Sequence, residues 1–181
     1  MKTRPLMTVV LGLVFSAATA GSAWAQLPNP YGPAISVETA RKVAAAATAE
    51  GKKNGWTIAV AIVDPDGELV LFERMDNTQS ASVTVAQEKA RSAARFKRPT
   101  KAFEDALVGG RQAILALPGA IPLEGGIPLV IDGKIVGAIG VSGMTSQQDG
   151  VCAQAAADTL GKAPAAPPHA KAPPPAAPPK K

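Results

Sequence analysis

The sequence predicts an α/β fold of the α+β kind: a central antiparallel sheet of about five strands flanked by helices. Three observations carry this. Apolar residues recur at helical spacing in several stretches, and two strand pairs are joined by tight Asp- and Gly-bearing turns. The order helix, two strands, helices, at least two strands and a helix argues against a doubly wound parallel sheet. No internal repeat is visible.

Each element has its own signal. From Ser36 to about Asn54, Val37, Ala40, Val43, Ala44 and Ala47 fall on one helical face, with Ser36 placed as cap and Gly51 and Gly55 near the end. Ile58, Val60 and Ile62 alternate with small residues up to Val63. Asp64-Pro65-Asp66-Gly67 then turns the chain into a second strand, Leu69 to Phe72. Ser80 is placed to cap a second helix bearing Val83, Ala86, Ala90, Ala93 and Ala94, stopped near Pro99, and Thr100 to cap a short third helix through Val108.

Between Gly109 and Gly126 the chain is rich in Gly and Pro. This predicts a long loop with a helical turn around Ala113 to Leu117, and loops of that length in small domains usually serve function. Pro128 to Ile131, Asp132-Gly133 and Ile135 to Val141 form the strongest hairpin signal in the chain. A final Ala-rich helix runs from Ser146 to Leu160, packing through Val151, Ala155 and Leu160 and ending at Gly161.

The two ends read differently. Lys2 and Arg4 precede a mostly apolar run from Leu6 to Ala20, and Ala23-Trp24-Ala25 gives a small-x-small site, so residues 1–25 are expected to be a cleaved secretory signal. That run is short of the ~20 residues of a spanning helix. Residues 162–181 comprise eight Pro, seven Ala, four Lys and His169, a composition expected to stay extended as a tail. Residues 26–161 remain as one domain, long enough for a single core.

Dividing the charge by region removes the apparent basicity. The signal and tail hold six of the 19 Lys and Arg, which leaves 13 in residues 26–161 against all 14 Asp and Glu. The domain is near neutral, and no nucleic acid partner is expected, since such binding begins with a basic face. The tail lysines suit an anionic surface or simply keep a linker solvated.

Inventory excludes several chemistries. The one histidine, His169, lies in the tail, so the domain has no imidazole for a Ser-His-Asp or Cys-His arrangement or a zinc site. Cys152 has no disulfide partner within the chain and reads as a small buried hydrophobe. Gly137, Gly140 and Gly143 do not spell a dinucleotide or phosphate-loop motif and suit close backbone packing. Asp64, Asp66, Glu68, Glu73 and Asp76 cluster around the first hairpin, where turn chemistry accounts for Asp64 and Asp66 and a hard-cation site is the alternative. Arg91, Arg95 and Arg98 make a stripe near the end of the second helix, suited either to the helix dipole or to ligand carboxylates.

Gly125-Gly126-Ile127-Pro128-Leu129-Val130-Ile131-Asp132-Gly133, running into Val136-Gly137-Ala138-Ile139-Gly140-Val141-Ser142-Gly143 with Gln148-Asp149 after it, resembles the GlcG/HbpS family of haem-binding proteins. Val63-Asp64 and Gly67, Phe72 with Arg74-Met75-Asp76, Lys89 to Ala94, and Arg98-Pro99-Thr100 agree in order, so the resemblance covers about residues 34–161. It implies a profilin-like domain that assembles into homo-oligomers and binds haem, periplasmic or secreted, with a non-catalytic role in haem sequestration, presentation or sensing. The family usually carries Thr where Ser92 stands, so a hydroxyl is retained.

Without a domain histidine, the haem implied by this resemblance falls to Met75, Met144, Cys152, Tyr31, Lys89 or a hydroxyl such as that of Ser92, or to apolar and propionate contacts. Gly125, Gly126 and Pro128 bring backbone close to a flat ligand or simply turn the chain into a strand. Arg91 or Arg95 is available to propionates. Two alternatives stand beside this reading. One is an enzyme or accessory factor in small organic acid catabolism, which needs a titratable pair in a cleft, best supplied by Lys89 with Glu88 or Asp149. The other is an adaptor anchored through the tail.

Overall fold

The structure, a computed structural model, describes residues 29–161; the expected signal peptide and tail lie outside the described residues. The order is α1 (Val37–Lys53), β1 (Ala59–Val63), β2 (Leu69–Arg74), α2 (Ser82–Phe96), α3 (Lys101–Val108), a 3-10 turn (Gln112–Ala116), β3 (Gly126–Ile131), β4 (Lys134–Ser142), α4 (Ser146–Ala157) and a closing 3-10 turn (Asp158–Leu160). The sheet is antiparallel throughout in the order β2-β1-β4-β3. Its regular strands number four where about five were expected. The nearest to a fifth is an isolated parallel bridge from Tyr31 to Ile135, supported by Gly32 N–H donating to the Ile135 carbonyl at 2.8 Å.

Strand alternation divides the core into two layers. Ile58, Val60 and Ile62 face one side with Ile139 and Val141 of β4, and α1 and α4 cover them with Val43, Ala44, Ala47, Cys152 and Ala153. Ala59, Ala61 and Val63 face the other side with Ala138, beneath Ala86, Ala90, Ala93 and Ala94 of α2. Burial on both faces leaves every residue of β1 buried.

The α2 side is thin because both surfaces are built of small residues. A methyl group on Gly140 would run into the Ala86 carbonyl oxygen and stand 2.5 Å from the Ala90 nitrogen. The glycine therefore sets how closely α2 lies on β4. That close approach carries a consequence for the site, because it brings the α2 backbone to the β3 edge of the sheet.

The turns follow their residues. Asp64 Oδ1 accepts the N–H groups of Asp66 and Glu68, both at 2.9 Å, and Gly67 takes φ 91°. Asp132 and Gly133 are both left-handed, φ 49° and 73°, which is the two-residue turn that matches strand twist. Ser36 caps α1 as expected, its hydroxyl accepting Thr39 N–H at 3.1 Å.

Three local expectations need correction. Helix α2 starts at Ser82 after an Ala81 cap without a side-chain bond, so Ser80 does not cap it. Thr100 stands at the start of α3 but makes no capping bond; its hydroxyl donates to Leu123 carbonyl at 2.6 Å and accepts Gly126 N–H at 2.9 Å. It ties the long loop to β3. The buried face of α4 is Asp149, Gly150, Cys152, Ala153 and Ala156, whereas Val151 is 48% exposed and Ala155 half-buried. An Ala-rich helix offers too little contrast between faces for the sequence to choose, and a buried Asp149 inverts the usual polarity.

Candidate functional site

Lys89, Gly125, Gly126 and Pro128 gather around the β3 edge of the sheet and Met75 follows β2 at the opposite edge, since β2 and β3 are its outer strands. Around the β3 edge, Lys89 leaves α2 with its side chain 2% exposed. Its ammonium donates to Asp149 Oδ2 of α4 at 2.7 Å and to Val141 carbonyl at 3.1 Å. Asp149, 3% exposed, accepts Met144 N–H at its other oxygen, 3.1 Å away. The pair therefore connects the helices on the two faces of the sheet.

Gly125 and Gly126 make room for this connection. A Cβ on Gly125, whose φ is +123°, would stand 2.9 Å from Asp149 Cβ and 3.0 Å from Lys89 Nζ. One on Gly126 would meet the Lys89 carbonyl and come within 2.6 Å of Thr100 Cγ2. The space beside both glycines is filled by the chain itself. Desolvation raises the Asp149 carboxyl above its ordinary pKa, and the Lys89 ammonium opposes that shift. The pair sought for small-acid chemistry, Lys89 with Asp149, is thus formed but closed to solvent, while Glu88 turns away to Arg91 at 2.6 Å.

The arginine stripe is largely occupied as well. Arg91 Nε donates to Gly67 carbonyl at 3.3 Å, and Arg95 Nε to Asp66 carbonyl at 2.9 Å. These side chains hold the β1–β2 turn against α2. Ser92 is buried, its hydroxyl accepting Ile121 N–H at 3.1 Å and so anchoring the long loop. Tyr31 donates its hydroxyl to Ala94 carbonyl at 3.0 Å near the end of α2. Pro128 lies half-buried on edge strand β3, where a residue without an N–H is tolerated. Met144 is 40% exposed at the start of the turn into α4. Cys152 is buried, its thiol pushed up to about 11 by desolvation, with Asp149 adding to the effect.

The opposite edge is that of β2. Met75 follows β2, its N–H donating to Ile58 carbonyl at 3.0 Å, and it lines an open cavity of about 340 Å³ with Thr48, Lys52, Ile58, Glu73, Arg74 and Asp76. That volume is near the lower end of the ~300–1,000 Å³ of small-molecule sites. Among the described residues, neither Lys52 nor Arg74 is in a salt bridge. Of this set the sequence singled out Met75 for a haem ligand and Glu73 and Asp76 as part of a hard-cation alternative. Lys52 carried no signal in the sequence, and Arg74 entered only as part of the Arg74-Met75-Asp76 stretch.

Comparison with known proteins places this geometry in context. The family model described as haem-degrading protein HbpS-like matches residues 35–158. The chain belongs to this family. Protein GlcG of Escherichia coli strain K12 is 42% identical over 108 residues, covering 60% of this chain and 81% of GlcG. The crystal structure of HbpS superimposes with a TM-score of 0.66 at 31% identity, covering 72% of this chain and 93% of that one. A structure of a PduOC haem complex does so with a TM-score of 0.64 at 26% identity, covering 71% and 96%. The expected GlcG/HbpS membership is therefore met, and with it the α+β architecture.

A soft donor stands at the open β2-edge cavity. Methionine sulfur is an established ligand of haem iron. At the β2-edge cavity the Met75 thioether stands near Lys52, an exposed cation on the last turn of α1, while Ile58 beneath them is buried and Arg74 is paired in register with Ala59, which faces α2. Among the described residues no group of three or more His, Cys, Asp and Glu is placed to hold a metal ion directly.

Proposed function

We propose that this protein is an exported haem-binding protein, assembling as a homo-oligomer, that sequesters, presents or senses haem without transforming it. The observation that carries the reading is the Met75 thioether at the β2-edge cavity of a chain of the HbpS-like family. Its similarity to the protein of the PduOC haem complex supports the same ligand. Haem would supply its iron chemistry there, and the residues that would hold it are Met75, as a thioether donor, and Lys52, as a cation available to a carboxylate. Export rests on the sequence of residues 1–25, and no helix among the described residues is long and apolar enough to cross a membrane.

Haemin titration of the chain from Gln26 tests the reading. A saturable Soret shift is expected, with the spectrum altered by Met75→Ala and unaltered by Met144→Ala. A shift that Met75→Ala leaves untouched would move the ligand away from this cavity. Steady bleaching of the bound Soret band under a reductant and oxygen, with an open-chain tetrapyrrole as product, would overturn the non-catalytic part.

A further inference from the structure

We infer that the uncharged surface formed by the start of α4 and the loop before β3 is where two copies of this chain meet, with Leu123, Met144 and Val151 at its centre. The inference rests on the homo-oligomer reading and deepens it, because it names the surface that assembly covers.

Six of the nine exposed large hydrophobic side chains among the described residues fall in two segments. Val108, Leu115, Leu117 and Leu123 lie on the way from α3 to β3, and Met144 and Val151 lie around the start of α4. The other three belong to the N-terminal segment, α1 and β2. The two segments meet at the first turns of α4. A Cβ on Gly150 would stand 2.7 Å from Glu124 Cγ, and one on Gly125 would stand 2.9 Å from Asp149 Cβ. Met144 N–H reaches Asp149 Oδ1 at 3.1 Å. Leu123, Met144 and Val151 therefore adjoin one small region around Asp149 and Gly150.

Charge decides what covers this surface. Of Asp, Glu, Lys and Arg, residues 107–123 and 141–157 contain only Arg111 and Asp149, and Asp149 is buried against Lys89. An anionic lipid surface or a nucleic acid is gripped by clustered cations, and this surface offers one arginine. A second copy fits, because two uncharged and partly apolar surfaces meet without stranding charges, and charge depletion around an apolar centre marks the core of a homodimer interface. A two-fold axis brings the same patch to both sides, the commonest form of assembly. Gln147 and Gln154 stand exposed about one turn to either side of Val151, and they supply hydrogen-bonding groups without charge. The extent agrees as well: 16 positions of the first segment and 10 of the second are exposed or half-buried. Each side of a standard interface supplies ~20–30 residues.

The test is the assembly state of the chain from Gln26, followed by sedimentation velocity over a dilution series without haemin. Wild type is compared with Leu123→Glu, Val151→Glu, their double variant and Leu69→Glu. The last is a matched change on β2, since Leu69 is 45% exposed and Leu123 44%. An unpaired carboxylate at the centre of the contact should weaken assembly at least about tenfold in each single variant. The double variant should be monomeric throughout, and Leu69→Glu should match wild type. Circular dichroism establishes that each protein is folded, and a Glu variant that is not is replaced by its Gln counterpart, for which the same direction is expected. An oligomeric wild type whose assembly survives in the double variant overturns the proposed surface and leaves the homo-oligomer reading standing. A wild type that is monomeric throughout overturns both. Flotation of that monomer on phosphatidylglycerol vesicles, lost in the double variant, would assign the surface to lipid instead.

Discussion

Replacing Lys89 with Met removes an ammonium that is 2% exposed and bonded to Asp149 Oδ2 at 2.7 Å and Val141 carbonyl at 3.1 Å. The carboxylate left behind keeps its bond from Met144 N–H but loses its only charged partner at that distance. Breaking one side of a buried pair typically costs about 3–5 kcal/mol, a large part of the ~5–15 kcal/mol that holds a domain folded. Asp149→Leu should cost at least as much, because the ammonium then retains one carbonyl in a sealed space. The double variant Lys89→Met with Asp149→Leu removes both charges and should lose less than the sum of the singles by at least about 2 kcal/mol. Urea unfolding followed by circular dichroism measures all four proteins, provided the m-value is unchanged. Singles that cost under about 1 kcal/mol, or strictly additive effects, would refute the view that this pair is the sealed connection between α2 and α4.

Three further results are expected. Gly140→Ala should destabilise by about 1–3 kcal/mol in the same assay, since the added methyl meets the Ala86 carbonyl oxygen of α2; a loss under about 0.5 kcal/mol would mean the helix is free to lift. Thr100→Val leaves the Leu123 carbonyl and Gly126 N–H without their hydroxyl partner, which should cost about 1–3 kcal/mol and speed proteolysis within residues 109–126; equal cleavage rates would count against the tether. Cys152 holds its proton more tightly folded, with a pKa of about 11 against an ordinary 9.0. Its contribution is therefore present below pH 9 and lost as pH rises through about 11, a difference of roughly 3 kcal/mol. Subtracting the alkaline unfolding profile of Cys152→Ala from that of wild type should reveal this decline, and a flat difference would contradict it.

Much of the local structure was legible because it is set by short stretches of chain. Ser36 caps α1 through a bond three residues away, and the Asp132-Gly133 turn needs only two left-handed residues. The alternation of Ile58, Val60 and Ile62 with alanines defines the two faces of β1, and the family resemblance follows from contiguous motifs. Cys152 is buried as its type and neighbours implied. Lys89 and Asp149 were paired as a possibility, but 60 residues separate them. A sequence does not state whether such a pair stands in a cleft or is sealed beneath two glycines.

What the fold alone decided involves contacts between distant elements. Thr100 has the residue type of a cap and the position of one, yet its hydroxyl serves a loop 23 residues later. Arg91 and Arg95 look free on a helix surface until the first hairpin turn is folded against them. The buried face of α4 depends on which helix and strand it meets, because its small residues differ too little in hydrophobicity to choose. The cavity beside Met75 arises where the end of α1 meets the end of β2, so Lys52 acquires its place only when those ends converge. Sequence determines caps, turns and alternation because each is a local balance of backbone bonding and side-chain shape. The tertiary structure assigns the remaining roles because long-range packing determines which polar groups are desolvated, paired or left open to a ligand.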